Sequence, residues 1–117
     1  MKSKIEVIEK YFTKSEIDAL SRLIIDIRKS WPKARLKLFG SKLRGTADEE
    51  SDLDILILLP CEVTEKIRRK IIHKVFDINL TFETNISSLI MAEKEWESKT
   101  FSLLPIHECI EEEGVSL

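Results

Sequence analysis

The chain has 117 residues, a formal net charge of −2, 43% hydrophobic residues and 34% charged ones. That is one small domain with a single core, numbered 1–117, and neither a disordered polyelectrolyte nor a basic nucleic-acid binder with an extended surface. The longest uncharged apolar run, Ile55 to Cys61, is far too short to span a bilayer, and charge scattered through Met1 to Lys10 does not read as a signal peptide. Cys61 and Cys109 lack metal or redox spacing, so they read as reduced, partly buried thiols of a cytoplasmic protein.

Taken in order, Lys4 to Phe12 reads as a short first helix. Thr13 and Glu16 have capping-box spacing and open a second helix, from about Lys14 to Ser30. Its apolar face carries Ile17, Leu20, Ile24, Ile27 and Trp31, and Pro32 closes it. A strand from Arg35 to Phe39 follows. Gly40 and Ser41 then make a tight turn, Ser41 to Arg44 reads as one helical turn, and a polar loop runs to Ser51. Leu53 to Leu59 is nearly all aliphatic, as in a central strand covered on both faces.

Thr64 caps another long helix, ending near Leu80, with Ile67, Ile71, Val75 and Ile78 as its apolar stripe. The basic run from Lys66 to Lys74 reads as its solvated face. Asn85 to Met91 is a third strand and Ala92 to Ser98 a short helical turn. A last helix spans Ser102 to Glu113, with Pro105 in its first turn and Gly114 as its stop. Together these elements predict an α/β domain, a small mixed sheet packed on helices.

The chemistry gathers between Leu36 and Leu59. Asp52 and Asp54 have strand spacing, so both carboxylates leave one face of the sheet. Side by side they repel, and a divalent cation between them relieves this; oxygen-only ligands suit magnesium. Backbone N–H groups of a Gly40–Ser41 turn suit a phosphate. Each residue also has a plainer reading. Asp52 and Asp54 alone open many strands, Gly40 alone is a turn glycine, and Arg44 alone is a loop arginine. His73 and His107 read as surface histidines, and Trp31 and Trp96 as core or edge packing, with an exposed Trp96 as a partner anchor.

The combination is more specific. Gly40, Ser41, ten residues, then Asp52 and Asp54, with Arg44 and Gly45 inside the spacer, resembles the polymerase beta-like nucleotidyltransferase superfamily, and within it the minimal nucleotidyltransferases. At ~1 in 20 per position, Gly, Ser, Asp and Asp at fixed spacing arise by chance in about one in a thousand chains of this size. The tail, E-K-E-W-E and then E-E-E-G-V-S-L, is similar as well.

The resemblance implies the polymerase beta-like fold and a magnesium-dependent transferase moving AMP from ATP to a hydroxyl. Gly40 and Ser41 would hold the triphosphate, Asp52 and Asp54 would be the metal-binding catalytic pair, and Arg44 would contact phosphate or partner. It also implies an antitoxin that meets a HEPN-type toxin protein; the alternative is a weak or inactive nucleotide-binding antitoxin or subunit that acts by binding alone. The sequence leaves the acceptor, the nucleotide base and the oligomeric state open. One departure stands out. The family's third carboxylate falls at or near Ser87, with Glu83 and Asp77 as the nearest acids before it.

Overall fold

The computed structural model describes residues 10–40 and 52–117. Within them the order is α1 (Lys14–Ser30), β1 (Arg35–Phe39), β2 (Leu53–Leu59), α2 (Glu65–Phe82), β3 (Ile86–Ala92), α3 (Glu93–Trp96), α4 (Lys99–Ser102), α5 (Pro105–Glu113) and β4 (Val115–Ser116). The strands form a mixed sheet in the order β3-β2-β1-β4. β2 runs antiparallel to β1 and parallel to β3, and α2 is the crossover between the parallel pair. This is the expected α/β class. Of the expected first helix, residues 1–9 lie outside the described part, as do Ser41, Arg44, Gly45 and Ser51.

α1 begins as its sequence dictates. The Thr13 hydroxyl accepts the Glu16 N–H at 3.1 Å, and the Glu16 carboxylate accepts the Thr13 N–H at 2.9 Å. Its inner face is Ala19, Leu20, Leu23 and Ile27, while Ile17, Ile24 and Trp31 pack at its margin. α2 buries Ile71, Val75 and Ile78. Asp26 ties the two helices together, lying 3.5 Å from Lys74 and 3.3 Å from Arg22.

The sheet has two different faces, and β2 sets them by alternation. Leu53, Ile55, Ile57 and Leu59 join Leu36, Leu38, Ile86 and Ile90 under α1 and α2. Leu56 and Leu58 point the other way, onto Met91, Trp96 and Ile110. α3, α4 and α5 cover this second face. Trp96 is buried there rather than exposed as a partner anchor, and its indole donates to Glu111 at 2.7 Å. That hydrogen bond, with Lys37 next to it, holds the Glu111 carboxyl below its usual range. His107 stacks on Trp96 with ring centroids 4.4 Å apart, so it is a packing residue. Arg35 fastens the same layer through Glu93 and Glu97.

Several details differ from the sequence reading. The last helix starts at Pro105, and Lys99–Ser102 is a separate turn capped by Ser98. Gly114 ends α5 in extended geometry, because the chain passes directly into β4 against β1. Cys61 is exposed and Cys109 half-buried, and the two form no disulfide.

The turn from α2 into β3 is held by one side chain. Asn79 accepts from the Ile86 N–H at 2.9 Å and from the Thr84 hydroxyl at 3.0 Å, and donates to the Ile86 carbonyl at 3.1 Å. Replacing it leaves part-buried backbone groups without partners, a loss of ~1–3 kcal/mol. Urea unfolding of Asn79→Ala should therefore show a lower midpoint with an unchanged slope.

Candidate functional site

β1 ends where β2 begins, so both deliver polar residues to one end of the sheet. Phe39 is the register partner of Asp54 on one side and Ser87 is its partner on the other. By alternation Asp52 and Asp54 follow Leu56 and Leu58 on the second face of the sheet. The small helices that cover Leu56 and Leu58 leave this end uncovered. Asp52 and Ser87 are exposed and Asp54 is half-buried.

Gly40 completes the corner. Its φ is +95°, and a Cβ built on it would overlap the Asp54 carboxylate. The glycine is required twice, for the left-handed backbone and for its close approach to Asp54. A carboxylate pressed against backbone is partly desolvated. That burial, and secondarily the negative charge of Asp52, pushes the Asp54 carboxyl above its ordinary value of 3.8. The arrangement is poorly satisfied alone and improves when a cation arrives. Its donors are all oxygen, which suits a hard divalent cation that keeps other positions for water or phosphate.

Of the site residues read from sequence, the structure brings together Gly40, Asp52 and Asp54, while Ser41 and Arg44 lie outside the described residues. The β3 residue beside Asp54 is Ser87. Neither nearby acid fills the gap. Asp77 lines a groove between α1 and α2 with Arg22, Asp26 and Lys74, on the far side of the sheet. Glu83 is the exposed C-cap of α2. Among the described residues no three His, Cys, Asp or Glu side chains form a metal-binding group. Phe39 was not singled out from sequence as a site residue; only the antiparallel register, with its partner in β2, sets it beside Asp54.

Comparison with known proteins gives a family. The family profile described as "Nucleotidyltransferase domain" matches residues 20–104. The chain is 45% identical over 56 residues to a Methanocaldococcus jannaschii protein named "Putative protein adenylyltransferase". The aligned stretch is 48% of this chain and 57% of that relative, so the match spans little more than half of the relative's length. No solved structure matches the chain significantly. Among the described residues, no helix is long and apolar enough to cross a membrane.

Two outcomes follow from the Asp54 environment. A carboxyl whose pKa is raised by folding favours the fold below its unfolded value, and that contribution is lost as the pH rises through the folded value. Ionised Asp54 therefore costs stability at neutral pH. With the group still open to solvent the cost is small, a few tenths of a kcal/mol to ~1 kcal/mol. Asp54→Asn should raise the melting temperature in chelator at pH 7 by roughly 2 °C, with the gain fading as the pH falls through the raised folded value and gone below 3.8. Gly40→Ala should act in the opposite direction, destabilising by ~1–3 kcal/mol in thermal unfolding, because it adds both backbone strain and overlap with Asp54.

Proposed function

The chain belongs to the nucleotidyltransferase family, and from that premise we propose that it transfers AMP from ATP to a hydroxyl on a protein, using magnesium held by Asp52 and Asp54. The observation that carries this is the end of the sheet where the Gly40 backbone abuts Asp54 and the charge of Asp52 acts on the same carboxylate. The protein acceptor is supported by the name of the Methanocaldococcus jannaschii relative and by the geometry of the site. Among the described residues Asp52 and Ser87 are exposed at this end of the sheet, where a macromolecule can present its own hydroxyl.

When bound, a magnesium ion neutralises the triphosphate and polarises the α-phosphoryl group. The chain's own contribution is placement. Asp52 and Asp54 bind through carboxylate oxygen, and Gly40 with Ser41 offers backbone N–H groups to the phosphates. The acceptor oxygen bonds to the α-phosphorus, the bond to pyrophosphate breaks, and the acceptor proton passes to solvent. Ser87 stands beside Asp54 but cannot serve as a carboxylate base. The resemblance to minimal nucleotidyltransferases makes a HEPN-type toxin the acceptor we propose, with this chain as its antitoxin in the cytoplasm.

The hydroxyl at Ser87 favours a second reading, an antitoxin that binds nucleotide and toxin but catalyses weakly or not at all. Calorimetry and a transfer assay separate the two. The parent should bind ATP only with magnesium, and Asp52→Asn with Asp54→Asn should lose that binding; equal binding in both would remove the metal assignment. Transfer of labelled AMP to the co-expressed toxin should match or exceed the parent's in Ser87→Asp. A gained base is typically worth ~100- to 10,000-fold, so a large increase would show that the parent lacks one. Magnesium-dependent binding with no transfer in either protein would leave the binding-only antitoxin.

A further inference from the structure

α2 carries a second apolar stripe that no described element of its own domain covers. Ile72, Phe76 and Leu80 recur every fourth residue, so they share one side of the helix. They are 50%, 59% and 65% exposed, whereas Ile71, Val75 and Ile78 fill the core from the other side. Exposed large apolar residues scattered singly are ordinary, but three in register on one helix are a surface.

The charges at the two ends of the stripe differ in sign. Continuing it towards the helix start reaches Arg69, with Arg68 next to it; past Leu80 the helix ends at Phe82, and Glu83 caps it. Arg69 and Glu83 are both exposed. Arg69 meets Glu65 only at 3.9 Å, with both side chains 71% exposed. Glu83 makes no ion pair among the described residues, and its position is doubly unfavourable. It sits in left-handed geometry at φ 54°, and its negative charge lies at the negative end of the helix dipole. A cation from outside would offset the second cost.

We propose that this stripe is an interface between two copies of the chain, packed α2 against α2, antiparallel, about a two-fold axis at Phe76. Such an axis sets Phe76 against Phe76 and Ile72 against the second copy's Leu80, four residues either side. It also sets Arg69 against the second copy's Glu83, seven residues either side. Every feature of the stripe is then matched by the same stripe reversed, as a two-fold interface requires. Parallel packing would oppose like charges and is disfavoured. An unrelated partner has no reason to need a basic end and an acidic end at equal distances from one aromatic residue. The stripe is short, so the dimer belongs with small interfaces, below ~1,200 Å², and should dissociate at about micromolar concentration.

Sedimentation velocity from low micromolar to several hundred micromolar tests this. The parent should pass from monomer to dimer across that range, with the dimer weakened by salt. Phe76→Glu should remain monomeric with an unchanged circular dichroism spectrum. Arg69→Glu and Glu83→Arg should each weaken association by ~10-fold, since each places two like-charge pairs in the dimer. Combined, the two reversals should restore association to within about threefold of the parent. A parent that stays monomeric at several hundred micromolar overturns the proposal and leaves the stripe to a different protein. A dimer indifferent to Phe76→Glu, or two reversals that fail to rescue one another, overturns the register.

Discussion

Strand β2 has to be buried on two faces at once, and the rest of the domain follows from that. An aliphatic run from Leu53 to Leu59 cannot face water on either side, so the chain must supply two covers. α1 and α2 supply one by ordinary amphipathic packing. The other is assembled from three short helices, none of which would be stable alone. Trp96, Glu111 and the pair Arg35 and Lys37 fix that second cover to the sheet through a hydrogen bond and ion pairs. The cover extends over Leu56 and Leu58 and stops short of Asp54. The site is the place where the hydrophobic demand of β2 ends and its second cover ends with it.

That position explains an electrostatic oddity. Two carboxylates of like charge would ordinarily be spaced apart or paired with cations. Here Gly40 presses its backbone onto Asp54 from one side and Asp52 adds charge from the other. The fold tolerates the cost because it is small at an open edge and because the surrounding hydrophobic packing is extensive. A corner that stores unfavourable charge would gain from a bound cation, and under the proposed function that is the sense in which function and stability oppose each other here.

Much of this was legible in the sequence because it rests on local rules. Thr13 with Glu16, the aliphatic run of β2, Pro32 and the apolar period of α2 each carry their structure in a few adjacent residues. The paired aspartates were legible for the same reason, since strand alternation alone puts Asp52 and Asp54 on one face. What was not legible depends on distant register. The two-residue β4 is too short to have a period of its own and exists because β1 offers an edge. The burial of Trp96 depends on a partner fifteen residues later in the chain. The stacking of His107 depends on that same indole.

The identity of the residue beside Asp54 shows why register matters more than proximity in sequence. Asp77 and Glu83 precede β3 by nine and three residues, and in sequence they are the last acids before the strand. The crossover decides otherwise. A helix that connects two parallel strands packs on one face of the sheet, so the acids it turns towards α1 are separated from the opposite face by the sheet itself. Asp77 is such a residue. Glu83 lies at the helix end, where Asn79 clamps the turn and fixes the start of β3. From that fixed start, the first side chain of β3 to emerge on the Asp54 face is Ser87. A third carboxylate on β3 in register with Asp54 therefore requires a change at position 87 itself, because Asp77 lies under the opposite face and Glu83 precedes the strand.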